Sequence, residues 1–381
     1  MRQVFTVSRA TGISLAVLGM FWGAFAAYLP VYKARAGVAD GLFGTLLLGS
    51  ALGGMVAMAL APRIGRALGP RVLPVCAGAL AIAALAPLAI GSAVTLALAL
   101  FVMGAAMSSL DIAANVRISE LEQETGLHLM NGNHALFSLA LGAAAFLAGL
   151  ARQAGAAPEI AVPVLALLLA LVALTLRDRH AAHGQVEAAA PAGVPSWAVV
   201  LPAAAILFAA FVTESATETW SALHIERDLG GRAGEGAFGP AMFGIVMGVF
   251  RLAGQGIATR LGEARLVALS ALLGVIGGFV TAVAGSQVLA VLGIGLIGAG
   301  VAVVVPSANS LLGRRVGPTE RATAISRAWM IGFTGFFIGP VVMGLIAERA
   351  GLAAIFLAVA LVMAAILPGL ARLMRAGARH A

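Results

Sequence analysis

Long apolar runs recur along this chain, and they constrain its fold more than any other feature. Twelve runs, separated by charged or Gly/Pro-containing breaks, each hold about 20 residues, the length that carries an α-helix across a hydrocarbon core. Backbone in lipid has to satisfy its own hydrogen bonds, so such segments span as helices. The breaks after the third and ninth runs, "IGSA" and "AGSQ", are short and uncharged, so length alone places them. The predicted spans are 11–32, 40–61, 70–91, 93–116, 132–153, 158–176, 197–223, 237–259, 264–284, 287–311, 321–347 and 350–371.

The composition points to the same fold class, an all-α membrane protein. Hydrophobic residues make up 61% of the 381 residues and charged residues 10%, where soluble chains carry about 25% charged residues. The net charge of +8 is expected to reflect topology rather than nucleic-acid binding, because Lys and Arg collect in cytoplasmic loops. The single cysteine, Cys76, lies in an apolar run and is expected to be an inert packing residue.

A polar, Ala/Pro-rich stretch divides the chain into two parts with six spans each. The predicted division is an N-terminal half at 1–176, a cytoplasmic linker at 177–196 and a C-terminal half at 197–381. With both termini inside, 17 of the 24 Lys and Arg residues fall on the cytoplasmic side and 6 on the other. This bias predicts cytoplasmic termini. The expected location is a bacterial inner membrane.

The two halves resemble each other in sequence. The loop "PRIGRALGPR" follows the second span and "TRLGEARLV" follows the eighth, so that Arg63-x-Gly65 and Arg260-x-Gly262 occupy matching positions. A parallel repeat of two six-helix halves is typical of one large group of transporters, whose site lies between the halves near the membrane midplane.

Over nearly its whole length the chain resembles the major facilitator superfamily. The loop "APRIGRALG" is similar to that family's signature after the second span, a glycine followed by Asp-Arg-x-Gly-Arg. Arg63, Gly65 and Arg66 match the signature. Pro62 stands where the aspartate is expected, and Met58 where the glycine is expected.

Four further stretches look like the branch near the bacterial fucose–proton symporters and their uncharacterised relatives. The resemblance implies secondary active transport by alternating access, often coupled to protons. The stretches are "SSLDIAANV", "MNGNHALFSLALGA", "ESATETWSALHI" and "GFTGFFIGPVVMGLIAE".

Four charged residues lie well inside the predicted spans: Asp111, Glu214, Glu218 and Arg251. A charge at a helix centre costs ~2.5–3.5 kcal/mol on insertion scales, so each of the four needs a reason. Glu214 and Glu218 are one turn apart on the seventh span and share a helix face. Glu214, with Arg251 as its charge partner, is expected to carry a coupling proton or contact the substrate; a static ion pair is the alternative. Glu218 is expected nearer the wet mouth of the cavity.

A second polar group is predicted in the cytoplasmic half of the bundle. Asp111 and Asn115 are one turn apart on the fourth span, and His134 and Ser138 form a similar pair on the fifth. They are expected either to line the cavity or to form a cytoplasmic gate, with His134 in a capping or packing role. The family resemblance implies a charged latch at this gate. Its expected basic members are Arg63, Arg66 and Arg327.

Aromatic residues are few, and those on the first, seventh and eleventh spans are candidates to line the cavity. Trp22, Tyr28 and Trp329 are expected to stack on a sugar-like or ring-bearing solute, with packing or anchoring as the alternative. Trp220 is expected at a membrane surface. Asn309 follows Pro306 on the tenth span, where the proline removes a backbone hydrogen bond.

The predicted function is secondary active transport of a small polar solute, coupled to protons. The alternative is a drug or metabolite exporter that exchanges protons. The chain holds no His-Glu-x-x-His zinc motif and no Gly-x-Ser-x-Gly elbow, so an intramembrane enzyme is disfavoured. A transporter-like sensor without transport is a further possibility. No cofactor is expected beyond the coupling proton, and the expected partners are a small solute and lipid, with a functional monomer and no nucleic acid.

Overall fold

The computed structural model describes residues 6–176, 193–317 and 319–377. Within these ranges the regular secondary structure is helical, with no strand. Eleven segments are long and apolar enough to cross a membrane. One of them, Asp40–Ala89, has 50 residues, which at 1.5 Å per residue is more than twice the ~30 Å of a hydrocarbon core. It turns at Gly69, where φ is 52°, so it crosses twice. The predicted twelve spans are thereby confirmed over the described residues.

We number the spans α1 to α12. The first six are α1 (Arg9–Ala36), α2 (Asp40–Leu46 and Leu48–Leu68), α3 (Val72–Ala83), α4 (Ala93–Thr125), α5 (Met130–Gln153) and α6 (Pro158–Thr175). The second six are α7 (Trp197–Leu223), α8 (Phe238–Leu261), α9 (Glu263–Ala282), α10 (Gln287–Val301 and Val304–Gly313), α11 (Arg321–Gly332 and Gly335–Ala350) and α12 (Leu352–Ala364 and Ile366–Gly377).

Serine caps mark the two breaks that length alone had placed. The Ser92 hydroxyl accepts a hydrogen bond from the backbone nitrogen of Thr95 at the start of α4. The Ser286 hydroxyl accepts one from the backbone nitrogen of Leu289 at the start of α10. An N-cap side chain satisfies one of the free N–H groups at a helix start. Both short breaks are therefore real helix boundaries.

The helix packing repeats along the chain. α1 packs along α5, α2 along α4 and α3 along α6; in the same order, α7 packs along α11, α8 along α10 and α9 along α12. The two sets of six meet where α5 packs on α8 and where α2 packs on α11. We call each set a repeat. The predicted division at 177–196 stays a prediction, because residues 177–192 lie outside the described part of the chain.

The two repeats approach each other closely at one end of the bundle. We call the end that holds the start of α1 and the end of α12 the terminal end, and the end that holds Asp40 the distal end. A Cβ added at Gly142 of α5 would lie 2.6 Å from the backbone nitrogen of Ile245 on α8. One added at Gly44 of α2 would lie 3.0 Å from the Cα of Gly344 on α11. Small residues at such positions let backbones touch, so the distal half is closed.

Candidate functional site: a buried charge cluster between the repeats

Glu214 and Arg251 form an ion pair in the interior of the bundle. A guanidinium nitrogen of Arg251 on α8 lies 3.2 Å from Oε1 of Glu214 on α7, and its other terminal nitrogen donates to the Ser138 hydroxyl of α5 at 2.7 Å. Arg251 therefore bridges the two repeats across the α5–α8 contact. The pairing of Glu214 with Arg251 follows the sequence prediction. The contact with Ser138 was not predicted; the sequence indicated only that Ser138 lies one turn after His134.

Glu218 lies beside this pair with a different partner. The indole nitrogen of Trp22 on α1 donates to Oε2 of Glu218 at 2.7 Å. Oε1 of Glu218 is buried without a hydrogen-bond partner among the described residues. The whole residue is 4% exposed and Glu214 is 6% exposed. The expectation that Glu218 lies nearer water is therefore wrong: α1 and the start of α8 cover its face of α7.

A row of polar contacts leads from Arg251 toward α4. The Ser138 hydroxyl donates to the backbone carbonyl of His134 at 3.0 Å. The His134 ring nitrogen Nε2 lies 3.1 Å from the amide oxygen of Asn115, whose amide nitrogen donates to the Asp111 carboxylate at 2.9 Å. Asp111, Asn115 and His134 are each partly exposed. The row runs from the buried pair to side chains that are partly exposed.

Aromatic rings form the wall of the site on the side of α7 and α11. The Trp329 indole nitrogen donates to the amide oxygen of Asn309 at 3.1 Å. The Phe211 ring lies with its centroid 5.4 Å from that of Trp329 and 5.0 Å from that of Phe336. Trp329 and Asn309 are partly exposed, so they present polar and aromatic surface together. Phe211 was not predicted, since phenylalanine on an apolar span gives no functional signal.

Four of the predicted site residues lie away from the cluster. The Tyr28 hydroxyl donates to the Ala156 carbonyl at 2.9 Å, and its buried ring lies under a guanidinium at the distal end. Arg63 and Arg66 are exposed at the terminal end of α2. The Arg327 guanidinium carbon lies 5.1 Å from the centre of the Trp197 ring. In this conformation the carboxylate of Asp111 bonds to Asn115 and not to the predicted latch arginines.

Ion pairs between the repeats close the distal end, and they were not predicted from the sequence. Asp40 at the start of α2 lies 2.9 Å from Lys33 and 2.8 Å from Arg227, which follows α7. Arg152 at the end of α5 binds both carboxylate oxygens of Glu226, at 2.6 and 3.1 Å. Opposite charges at the ends of spans that face the same surface were the available signal. Their distribution along the sequence indicates the topology but not which charges pair.

The expected position of Trp220 is also wrong. It was expected at a membrane surface, yet it is fully buried, with the edge of its ring against Phe43 of α2 at 5.6 Å between centroids. Its indole nitrogen is among the buried atoms without a partner in the described part of the chain. The contact joins α7 of one repeat to α2 of the other. Trp220 therefore contributes to the distal closure.

Comparison with known proteins places this architecture in a family. The Major Facilitator Superfamily model matches residues 203–380. An uncharacterised MFS-type transporter of Yersinia pestis is 30% identical over 361 residues, which cover 93% of this chain and 92% of the relative. The chain belongs to the major facilitator superfamily. A second member, an uncharacterised transporter of Sinorhizobium fredii, is 27% identical and covers 95% of this chain and 96% of its own. Both relatives are named as transporters, and neither name gives a substrate.

Solved structures of superfamily transporters share the fold. The nucleoside transporter NupG matches with a TM-score of 0.68 at 15% identity, over 97% of this chain and 99% of NupG. A bacterial homologue of the human lysosomal transporter Spinster, in an inward-facing and occupied conformation, matches with a TM-score of 0.69 at 15% identity, over 98% and 95%. A D-xylose–proton symporter matches with a TM-score of 0.68 at 13% identity, over 94% and 97%. At these identities the likeness supports the fold and no substrate.

Proposed function

We propose that this superfamily member is a proton-coupled secondary transporter that moves a small polar solute across a bacterial inner membrane by alternating access. The observation that carries the proposal is the Glu214–Arg251–Ser138 contact, with Glu218 beside it. Each buried charge costs ~2.5–3.5 kcal/mol in a membrane helix, and such residues mark substrate and proton pathways in transporters. The cluster lies between the two repeats, where transporters of this plan bind their solutes.

The proposed orientation places both termini in the cytoplasm. The 17-to-6 distribution of Lys and Arg supports it. At least four basic residues of the smaller group, Lys33, Arg35, Arg152 and Arg227, are in addition neutralised by ion pairs. In this orientation the closed distal end faces the periplasm, and the partly exposed Asp111 and His134 face the cytoplasm. The conformation described above is then inward-facing.

The proposed solute is small and polar, with a ring. Asn309 and Trp329 offer a polar and an aromatic surface side by side, and Arg251, Glu214 and Glu218 offer charged groups. A polar surface beside an aromatic one suits a sugar-like molecule. The stretches that resemble the fucose–proton symporters also favour such a solute. The fold neighbours named for a nucleoside and for D-xylose are consistent with this class. The protein is proposed to act as a monomer without a cofactor.

A second candidate function is export of an apolar drug or metabolite in exchange for protons. The observation that favours it is a wall of phenylalanine rings with few hydrogen-bonding groups. Its members pack on one another, and the first of them also packs on Trp329; they are Phe211, Phe333, Phe336 and Phe337.

A thermal-shift screen followed by transport in liposomes tests both candidates. A solute that binds the folded state raises the melting temperature, so sugars, nucleosides and hydrophobic cations are screened first. Each hit is loaded into liposomes that carry a pH-sensitive dye inside. Solute and proton movement in the same direction supports the symporter, and opposite movement supports the exporter. Solute movement that leaves the internal pH unchanged would overturn proton coupling in both.

A further inference from the structure

We propose that Glu218, rather than Glu214, is the carboxyl group that binds the coupled proton, and that its hydrogen bond with Trp22 ties this proton to closure of the distal end. The inference rests on the proposed function and changes the residue that the sequence had favoured. Proton binding is a simple addition: one proton joins Oε1 of the Glu218 carboxylate and gives the neutral acid.

The negative charges of Glu214 and Glu218 are stabilised by different neighbours. Glu214 lies 3.2 Å from the Arg251 guanidinium, which also holds Ser138. Glu218 has no ion pair among the described residues; it accepts one hydrogen bond from the neutral indole of Trp22, and its other oxygen is buried without a partner. A buried charge with neither a counter-ion nor full hydrogen bonding is costly, and a carboxyl group avoids the cost by binding a proton. Glu214, by contrast, has a counter-ion beside it.

The charges around Glu218 support this assignment. Glu214, one turn away on the same helix, is a like charge that disfavours a second carboxylate. Arg251 of α8 acts on Glu218 electrostatically, but it already binds two other groups. α1 presents the uncharged indole of Trp22. Other titratable groups lie on α1, on α5 and just after α7, and each is buried or has partners of its own. They are Tyr28, Tyr32, His134, Arg152, His224 and Asp228. The neighbouring helices contribute uncharged rings. Phe43 of α2 packs against Trp220 of α7, and Phe356 of α12 packs against His224, just after α7.

The Trp22–Glu218 hydrogen bond connects the proton to the conformational change. Trp22 is on α1 of the first repeat and Glu218 is on α7 of the second, so the bond crosses the interface between the repeats. When the distal end opens, the repeats separate there, the bond breaks and water reaches Glu218. Hydration favours the carboxylate, and closure favours the neutral acid. A proton bound from the distal side therefore favours the closed conformation described here, because a ligand shifts a two-state equilibrium toward the state that binds it better.

Trp22 provides a direct test that needs no solute. In a variant with Trp197, Trp220 and Trp329 replaced by phenylalanine, Trp22 is the sole tryptophan, and its fluorescence is followed while the pH is varied in purified protein. We expect one transition, because the ionisation state of a carboxyl group bonded to the indole changes its emission. The transition should disappear in Glu218→Gln. It should persist in the folded fraction of the matched variant Glu214→Gln, at a lower pH because a like charge has been removed. A transition that persists in Glu218→Gln, or that is absent from the parent variant, would overturn the proposal.

Infrared difference spectroscopy repeats the test with all tryptophans in place, since Trp220 is fully buried and its replacement can unfold the protein. Spectra of otherwise wild-type protein at low and high pH are subtracted. The loss of a protonated carboxyl band on raising the pH should be reduced in Glu218→Gln and retained in Glu214→Gln. Equal bands in wild type and Glu218→Gln would exclude Glu218 as the proton site. Neither measurement depends on transport. If wild-type protein shows proton-coupled flux in liposomes but the spectra of Glu218→Gln equal those of wild type, Glu218 is not the proton site and the proposed function stands.

Discussion

The carboxylate of Asp40 lies 2.8 Å from the guanidinium of Arg227, and this ion pair joins α2 of one repeat to the segment that follows α7 of the other. Asp40 also binds Lys33 at 2.9 Å and is buried, while Arg227 is exposed. The pair can exist only while the distal end is closed, because opening separates the two repeats. It therefore contributes free energy to one conformation and not to the other.

Asp40→Asn is expected to shift the protein toward the conformation with an open distal end. Loss of a partly exposed ion pair is worth about 1 kcal/mol, or roughly fivefold in the ratio of the two conformations. The measurement is labelling of Ser221→Cys, in a Cys76→Ala background, by a membrane-impermeant maleimide. Ser221 is fully buried in the closed form, so labelling reports opening.

Glu159→Gln is the matched control for Asp40→Asn. It removes an ion pair with Arg35 at the same end of the bundle, but that pair joins α1 to α6 within one repeat. Labelling of Ser221→Cys should stay at the parent rate. An equal increase in both variants would mean that surface charge, and not the contact between the repeats, controls access.

Glu226→Gln is expected to destabilise the folded protein more than Asp40→Asn does. Arg152 is 8% exposed, and besides Glu226 it donates to the Ala27 carbonyl. Removing one partner of a buried pair leaves an uncompensated charge, at a cost of about 3–5 kcal/mol. Thermal unfolding in detergent should show a clearly lower melting temperature. Replacing both residues, with Arg152→Met and Glu226→Gln, should recover much of the loss; a double variant no more stable than the single one would contradict this account.

Variants of the Glu214–Arg251 pair test whether it forms part of the binding site or is only a structural contact. Glu214→Gln alone strands Arg251, so the yield of folded protein should fall. The double variant Glu214→Gln, Arg251→Gln should restore the yield but not solute exchange, because the pair is proposed to contact the solute. Expression and exchange in liposomes are measured on the same preparations. Exchange that returns together with the fold would show that the pair only holds α7 against α8.

The spans could be predicted from the sequence because each rests on local properties, length and hydropathy. Contacts between spans depend on the rotation and tilt of each helix, which apolar runs of uniform hydropathy do not encode. Glu214 and Arg251 were paired correctly because they are charges of opposite sign at similar depth. Trp22 and Glu218, 196 positions apart, gave no such signal. Tyr28 shares its helix with Trp22 but lies farther along it, where it packs with the distal ion pairs instead of the cluster.

The proposed topology predicts that the linker and the C-terminus lie on the same side. Reporters that are active only in the cytoplasm, fused at Gly184 and after Ala381, should both be active. A fusion in the loop between α1 and α2, after Gly37, should be inactive. Activity at only one of the first two sites would contradict an even number of crossings between them.

Asp111→Asn should shift the conformations in the direction opposite to Asp40→Asn. Among the residues that the structure describes, Asp111 bonds only within its own helix, to Asn115, and Arg327 stacks on Trp197. The latch implied by the family resemblance can form only when the terminal end closes. Removing the charge should therefore stabilise the conformation described here, and labelling of Ser221→Cys should fall below the parent rate.

The partner in this latch can be identified with a double-mutant cycle. If Arg327 is the partner, Arg327→Gln lowers the labelling of Ser221→Cys to the same extent, and the double variant lowers it no further, because both changes remove one interaction. If Arg63 is the partner, Arg63→Gln lowers the labelling without adding to Asp111→Asn, and Arg327→Gln leaves the labelling at the parent rate. Asp111→Asn with unchanged labelling and lost solute binding would place Asp111 in the binding site, at the end of the polar row that begins at Arg251.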